Sequence, residues 1–345
     1  MAGLDRYSPE IDEAKVRHLV KTDLHVHAES TGRLLQAIER RRGRDRTNHR
    51  DLVERYMRDT APGLERLLAL NRELNQRCNV LTGLVLSEFY EQPDQVEALF
   101  EVLMEEEAAA GSVLAEIRVG GGWPLFPHFL TCFRAAERRV QARHPRFRAE
   151  PIIAWALTRD ATLVETVARY TLARAGEGIA GIDLYPEYRF WDYETLSALA
   201  RRAADVGLGV TCHEGEFEPE TFVRMLELPG LTRIGHGTQA YKVPGLLDEL
   251  RRRGIVVEVS LTSNVVTGAV MSYEDHPIRR FLDAGVKVTL CSDDPVMFDT
   301  TIGREYAIAM AMGFSEDDLS QFARNGIEAS FTSPERKAEL LTYVS

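Results

Sequence analysis

The segment Lys21-Thr-Asp-Leu-His-Val-His-Ala-Glu-Ser30 places two histidines, His25 and His27, at the end of a short apolar run. In an extended strand, residues two apart point to the same face. Imidazole is a suitable ligand for a borderline cation such as zinc. Two ligands do not make a metal site, however, and two satisfied polar residues at a strand end would explain an isolated pair equally well.

Three more polar clusters follow apolar runs farther along the chain. They are Cys212-His-Glu-Gly-Glu216, Arg233-Ile-Gly-His-Gly237 and Cys291-Ser-Asp-Asp-Pro295. Each cluster begins where a hydrophobic run gives way to turn residues, which is typical of the end of a buried strand. Four clusters in equivalent positions favour one shared site over four unrelated strand ends.

Short apolar runs alternate with segments of helical periodicity along most of the chain. The predicted strands are Thr22–His27, Val113–Arg118, Pro151–Ala156, Ile179–Leu184, Leu208–His213, Thr232–His236, Ile255–Ser260 and Val286–Cys291. Eight such units predict an α/β fold, a parallel (β/α)8 TIM-type barrel. Extra helices are expected between residues 31 and 111, after strand one, and two helices are expected at the C-terminus. The helix between strands five and six is predicted over Glu218–Leu228. Neither a linker nor an internal repeat is evident, so we expect one domain over residues 1–345.

The polar clusters fall at the predicted carboxyl ends of strands one, five, six and eight. Chemistry in such barrels takes place at that end. The pattern of strands and the position of the clusters therefore support each other.

The composition and charge of the chain disfavour several classes of function. The chain has 345 residues and a formal net charge of −11, which disfavours a general nucleic-acid surface. No apolar run approaches the roughly 18 residues that a membrane span needs, and the N-terminus lacks the apolar core of a signal peptide. The four cysteines are dispersed and form no C-x-x-C pair, which fits reduced thiols. We expect a cytoplasmic enzyme without a nucleic-acid or membrane partner; a homo-oligomer is left open.

A catalytic zinc site keeps few protein ligands and leaves room for water. His25, His27, His213 and Asp293 are the candidate ligands. Bound zinc lowers the pKa of its water toward about 7, which makes hydroxide available at neutral pH.

Three neighbouring residues are candidates for the chemistry around such a metal. Glu216 could carry protons as a general acid/base carboxyl does. His236, between two glycines, could approach the attacking water and stabilise developing charge. Asp294 follows a candidate ligand directly and cannot easily point at the same metal, so we expect it to orient the nucleophile or accept a hydrogen from substrate.

Together these motifs resemble the adenosine deaminase family, within the amidohydrolase superfamily. The matching stretches are Leu24–Glu29, His213–Glu216, Gly235–Gly237, Ser263-Asn264 and Ser292–Pro295. The resemblance runs in the same order from about Thr22 to Leu341. It implies a zinc-dependent barrel that hydrolyses an exocyclic amine of a purine and releases ammonia, with a small aminopurine and water as its partners.

The resemblance also implies residue roles. One zinc per subunit would be bound by the four candidate ligands, Glu216 would protonate the ring nitrogen, His236 would position the water and Asp294 would contact the purine N7. A second metal is not expected, because strand four ends in Asp183-Leu-Tyr-Pro186 without a lysine to be carboxylated. The predicted substrate-binding residues are Glu29, Gly181, Asp183, Pro186 and Asp294.

Four departures from the family pattern bear on the substrate. Pro186 has no N–H, where members aim a glycine N–H at the purine N3. Glu29 replaces the aspartate of adenosine-specific members, which favours free adenine or another 6-aminopurine derivative. Thr262 replaces a proline, and Glu214 replaces a small residue. The alternatives are a deaminase of a larger, aminofutalosine-type purine, another amidohydrolase reaction, and a non-catalytic metal-binding relative.

Two further segments have open interpretations. The basic run Arg40–Arg50 is either a solvated helix end or a group near the mouth of the site that meets an anionic part of the substrate. Trp123, Phe126 and Phe129 are expected to be packing residues, with pocket lining by one of them as the alternative.

Overall fold

The computed structural model describes residues 4–5, 8–28, 50–82, 92–120, 125–157, 161–186 and 192–344. Its eight strands are β1 Lys21–His27, β2 Ser112–Val119, β3 Arg148–Leu157, β4 Gly181–Pro186, β5 Gly209–Glu214, β6 Leu231–His236, β7 Val256–Val259 and β8 Val288–Leu290. They lie side by side in chain order, and each pairs in parallel with the next. The predicted (β/α)8 TIM-type barrel is confirmed.

The barrel is nearly closed through the residues that follow β8. Asp293 donates its backbone N–H to the carbonyl of His25 at 2.7 Å, and its own carbonyl accepts from the N–H of His27 at 2.8 Å. Asp293 has a left-handed backbone, with φ of 61°. The closing hydrogen bonds thus involve predicted metal ligands from both ends of the chain.

Helices surround the sheet. They are Arg50–Asp59, Leu64–Thr82, Pro93–Ala109, Phe129–Arg143, Ala161–Ala173, Tyr193–Asp205, Phe222–Met225, Leu246–Arg253, Leu261–Thr267, Ile278–Asp283, Pro295–Phe298, Ile302–Ala311, Glu316–Ala329 and Pro334–Leu341, with short 3-10 turns at Glu13–Val16 and Ala240–Lys242. The first three are the predicted additions after strand one. The part of the chain described here contains no helix that is both long enough and apolar enough to cross a membrane.

The helical predictions were wrong in three places. Four helices follow β8 instead of two, and the helix predicted over Glu218–Leu228 is a single turn, Phe222–Met225. The helix Leu261–Thr267 was missed. All seven of its residues are buried, so its sequence lacks the alternation of polar and apolar faces that reveals a surface helix.

The amino end of the barrel is filled by Phe331. A Cβ on Gly209 would lie 2.1 Å from the Phe331 ring and one on Gly181 would lie 2.4 Å from it, so both strands need glycine there. The Arg233 guanidinium stacks over the same ring, with 3.7 Å between its carbon and the ring centroid. This packing closes the end of the barrel opposite the polar clusters.

Candidate metal centre and active site

The four predicted ligands meet at the carboxyl end of the barrel. Single ligand atoms of His25, His27, His213 and Asp293 all lie within 4.8 Å of one another. The Nε2 atoms of His25 and His213 are 3.0 Å apart, and that of His27 lies 3.2 Å from the first and 3.3 Å from the second. An Asp293 oxygen lies 3.5 Å from His25 Nε2 and 3.4 Å from His27 Nε2.

Two of the imidazoles contact buried carboxylates through Nδ1, the ring nitrogen that faces away from the ligand cluster. His25 Nδ1 lies 3.0 Å from Glu258 Oε2, and His213 Nδ1 lies 2.9 Å from Asp183 Oδ2. A carboxylate at Nδ1 keeps the proton on that nitrogen and leaves the Nε2 lone pair as a ligand. Burial, with Arg118 nearby, lowers the pKa of His25 well below its ordinary value, so this ring is neutral.

The close Nε2 atoms therefore face one another with lone pairs. Two lone pairs 3.0 Å apart repel in a buried site unless a cation lies between them. The donor set of three imidazoles and one carboxylate matches the ligands that transition metals prefer. The residues thus fit one small metal ion.

The carboxylates behind the ligands belong to a buried ionic network inside the barrel. Arg118 contacts Asp183 at 2.8 Å and Glu258 at 2.6 Å. Arg233 contacts Glu258 at 2.8 Å and Glu116 at 2.6 Å. All five side chains are fully buried. Buried charges are stable only when paired, and here each arginine bridges two acids.

This network is not predicted from the sequence. Glu258 and Arg118 lie within apolar runs, where a charged residue is usually taken to face solvent. The signal that could have revealed them is a charge at an inward position of a strand that is otherwise buried on both faces.

Glu216 lies just beyond β5, where Gly215 turns the chain with φ of 63°. Its carbonyl accepts from the Thr238 hydroxyl at 2.6 Å and from the Gln239 amide at 3.1 Å. The Thr267 hydroxyl lies 3.5 Å from the carboxyl. Burial first, and then the charge of Asp293, raise the pKa of Glu216 well above its ordinary value. A raised pKa favours the protonated form of this carboxyl, which can donate a proton.

His236 ends β6 in a left-handed conformation, with φ of 66°. Its Nε2 lies 3.8 Å from Glu216 Oε2, so its ring faces the same space. A Cβ on Gly235 would lie 2.7 Å from the His25 ring, which explains the glycine before His236. Burial lowers the pKa of His236 to about 3, so the ring is neutral.

The structure places the predicted substrate residues at different depths. Pro186 is the last residue of β4 and pairs with Leu157, at the end of the barrel that carries the metal ligands. Asp294 is buried, and one of its oxygens accepts from the N–H of Met297 at 3.1 Å. Glu29, Trp123 and the run 40–49 lie outside the described residues.

Two of these predictions do not agree with the observed positions. Gly181 begins β4 beside Phe331, at the far end of the barrel, so it cannot reach a substrate held near the metal ligands. Asp183 is fully buried, with one oxygen shared between Arg118 and His213. These contacts favour holding the His213 ligand over touching substrate. Of the three aromatic residues singled out in the sequence, Phe126 and Phe129 are described. The ring centroids of Phe129 and Phe100 are 5.8 Å apart, as expected of a packing residue.

Comparisons with known proteins agree with this geometry. A family model described as adenosine deaminase matches residues 87–345. An adenine deaminase from Rhizobium rhizogenes is 32% identical over 270 residues, 74% of this chain and 81% of that protein. An aminodeoxyfutalosine deaminase from Streptomyces coelicolor is 44% identical over 141 residues, 40% of this chain and 36% of its own.

Solved structures show the same fold. The adenine deaminase from Arthrobacter aurescens superposes with a TM-score of 0.72 at 24% identity, covering 94% of this chain and 97% of its own. An amidohydrolase from Burkhoderia ambifaria with bound zinc superposes with a TM-score of 0.75 at 21% identity, covering 99% and 93%.

A parallel eight-stranded barrel with three imidazoles and a carboxylate at its carboxyl end defines a metal-dependent hydrolase of the amidohydrolase type. The family match identifies a narrower group within this class of hydrolases. The chain belongs to the adenosine deaminase family, and it is a hydrolytic deaminase.

Proposed function

We propose that the protein is a zinc-dependent deaminase of a 6-aminopurine other than plain adenosine, with one zinc per subunit. The observation that carries the zinc assignment is the spacing of the three Nε2 atoms, 3.0 to 3.3 Å. Zinc binds imidazole at about 2.0–2.1 Å in tetrahedral geometry, which separates two ligand nitrogens by roughly 3.3 Å. His25, His27, His213 and Asp293 would hold the ion.

When bound, zinc would act as a Lewis acid that makes water acidic enough to ionise near pH 7. The protein supplies the other functions. The buried Glu216 carboxyl, whose raised pKa favours its protonated form, donates its proton to a ring nitrogen of the purine, which makes the neighbouring carbon more electrophilic. His236 lies beside Glu216 and orients the attacking oxygen. Asp294 contacts the purine N7, with its helix-capping oxygen fixing the carboxylate.

The substrate assignment rests on Pro186 and Glu29. Pro186 cannot donate a hydrogen bond to the purine N3, and an unmade bond to a buried acceptor costs about 1–3 kcal/mol. Glu29 is one methylene longer than the aspartate of adenosine-specific members, and by that resemblance it favours free adenine or another 6-aminopurine derivative. Both residues disfavour adenosine relative to adenine or a differently substituted aminopurine.

An aminodeoxyfutalosine-type substrate is the second candidate. It is favoured by the 44% identity to the Streptomyces coelicolor enzyme over 141 residues. The two candidates differ in size, because free adenine carries no substituent, whereas an aminofutalosine-type purine carries a large one.

The test is ammonia release from the zinc-loaded protein across adenosine, adenine, aminodeoxyfutalosine and several 6-aminopurine derivatives under one condition. We expect kcat/KM for adenosine to lie well below that of the best compound. Adenosine as the best substrate, near the diffusional range of about 10⁸ M⁻¹s⁻¹, would contradict the argument from Pro186 and Glu29. Metal analysis of His213→Ala tests the ligand set, since that variant should lose zinc, whereas the surface variant His144→Ala should keep it. The cytoplasmic location and a homo-oligomer remain predictions from the sequence.

A further inference from the structure

A chain of hydrogen bonds leads from a surface turn to the His236 ring. The backbone N–H of Ile278 lies 3.2 Å from His276 Nδ1. His276 Nε2 lies 3.2 Å from Asn264 Oδ1, and Asn264 Nδ2 lies 3.1 Å from His236 Nδ1. The side chains of His276, Asn264 and His236 are all buried. Of the three, only His236 faces the ligand cluster.

The direction of this chain is fixed at its outer end. A backbone N–H can only donate, so His276 Nδ1 accepts and carries no proton. A neutral imidazole without a proton on Nδ1 carries it on Nε2, and His276 therefore donates to Asn264. Burial lowers the pKa of His276 to about 3, with a smaller contribution from His236, which is consistent with a neutral ring.

The same logic continues through the amide. Asn264 uses its oxygen to accept from His276, so the amide must present its NH2 group to His236. An NH2 group only donates, which makes His236 Nδ1 the acceptor. The proton of a neutral His236 ring is then on Nε2, the atom 3.8 Å from Glu216 Oε2.

We propose that His276 is a positioning residue, which acts through Asn264 to hold His236 as the tautomer with its proton on Nε2, so that His236 offers a hydrogen-bond donor to the attacking water. The tautomer of His236 follows from the hydrogen bonds alone. That its Nε2 proton meets an attacking water rests on the proposed function. A donor on Nε2 directs the water's lone pairs, and it stabilises negative charge on the oxygen as the new bond forms.

Without His276 the amide loses its orientation. The two ends of an asparagine amide have nearly the same size, so Asn264 could rotate and accept from a proton on His236 Nδ1. The Nε2 atom would then present a lone pair to the water oxygen instead of a proton. His276 prevents this exchange because its only donor points at the amide oxygen.

The first experiment reads the tautomer directly. Nitrogen-15 NMR of the full-length, zinc-loaded protein with labelled histidine separates protonated from unprotonated ring nitrogens, and the His236→Gln spectrum assigns the signals. We expect His236 to be protonated on Nε2 alone. In Asn264→Asp, whose carboxylate can only accept, His236 should instead carry a proton on Nδ1. A wild-type His236 protonated on Nδ1 would overturn the proposal, whether or not any purine is deaminated.

The second experiment compares two replacements of His276. His276→Gln retains an N–H donor for Asn264, whereas His276→Phe keeps much of the volume and removes the donor. Leaving the buried amide oxygen unpaired should lower kcat roughly 10-fold to 100-fold in the Phe variant, with zinc content and KM close to wild type, and Gln should restore most of the loss. Tyr273→Phe, in the same turn, is the matched control and should behave as wild type.

Equal loss of kcat in the Gln and Phe variants, or no loss in either, would overturn the role of His276. If His276→Phe does not fold, His276→Leu, which also lacks the donor but is smaller, takes its place in the same comparison with His276→Gln.

Discussion

At the scale of single residues, the site depends on which of its buried groups carry protons. Glu216 and Asp183 are both buried carboxyls, yet their pKa values shift in opposite directions. Burial dominates for Glu216 and raises its pKa. Burial also opposes ionisation of Asp183, but His213 and Arg118 more than offset it and lower the pKa. The pKa shifts therefore favour the protonated form of Glu216, the proposed proton donor, and the ionised form of Asp183 behind His213.

Glu216→Gln tests the proton transfer. The amide keeps the size of the side chain but cannot give up a proton, so kcat should fall by roughly 10² to 10⁴-fold. Zinc content should not change, because Glu216 is not among the four ligands. An unchanged kcat would show that another group transfers the proton.

The raised pKa of Glu216 also predicts a pH dependence. The carboxyl is an effective acid while it is protonated, which holds at pH values below its raised pKa. As the pH rises through the raised pKa, the proton is lost and kcat should fall. The check is the alkaline limb of kcat against pH in wild type and in Glu216→Gln. That limb should flatten in the variant; an identical limb in both proteins would assign it to a different group.

Gly235 shows how closely the ligands are packed. A Cβ at this position would lie 2.7 Å from the His25 ring, which is held on its other side by Glu258. Gly235→Ala should therefore displace the ring and lower zinc affinity, by an amount comparable to the 10 to 100-fold seen on losing a ligand's outer partner. Gly254→Ala is the control for lost stability, since alanine is strained at its left-handed backbone, with φ of 68°, although a Cβ there meets no atom within 4 Å. Equal zinc affinity in both variants would contradict this account.

At the scale of elements, the short helix Leu261–Thr267 connects β7 to the site. Its residue Thr262 donates its backbone N–H to the buried Glu305 carboxylate at 3.1 Å. The Thr300 hydroxyl donates to the other oxygen of Glu305 at 2.6 Å. Thr262 stands where the family has proline, which has no N–H to give. The buried Glu305 carboxylate thus accepts a hydrogen bond that a proline at position 262 could not donate.

Thr262→Pro should destabilise the protein even though it restores the family residue. Proline fits the first turn of a helix, but it leaves a buried Glu305 oxygen without a donor, at a cost of about 1–3 kcal/mol in the free energy of unfolding. Thr262→Ser keeps the N–H and should be close to wild type. Denaturant unfolding of the two variants measures the difference. A Pro variant as stable as the Ser variant would mean that the hydrogen bond contributes nothing.

Some of the elements and side chains of the site could be predicted from the sequence, and others could not. His25, His213 and His236 could be assigned because each one ends an apolar run, where strand and turn signals change together. Leu261–Thr267 could not, since a helix buried on all sides has no periodic pattern. A charge at an inward strand position could have indicated that Glu258 is buried, but the partners of Glu258 and His276 lie far away in the chain, and no local pattern identifies those partners.

At the scale of the whole molecule, the metal ligands join the two ends of the barrel. His25 and His27 lie in β1, Asp293 follows β8, and the backbone of Asp293 pairs with both histidines. Binding to the folded state alone stabilises that state in proportion to the logarithm of the free ligand concentration over its dissociation constant. Zinc should therefore stabilise the junction of β1 and β8 more than the rest of the sheet.

Chelation of zinc should lower the midpoint of thermal unfolding and speed hydrogen exchange at His27 and Asp293. The N–H groups of β3 and β4, on the other side of the barrel, serve as the internal control and should change less. A structural zinc binds with about 10–16 kcal/mol in small peptides, so the effect of a catalytic site with four ligands should be large enough to measure. Uniform exchange over the whole sheet after chelation would contradict a local role at the junction.

The closing bonds between His25, His27 and Asp293 also have a consequence for biosynthesis. A chain emerging from the ribosome exposes both N-terminal histidines early, but the carboxylate that completes the set is made only after β8. Until then a nascent chain holds three imidazoles at most and an open seam at β1. The complete set of candidate ligands therefore exists only once the residues after β8 have been made, which is also when the backbone bonds that join β1 to the other end of the barrel can form.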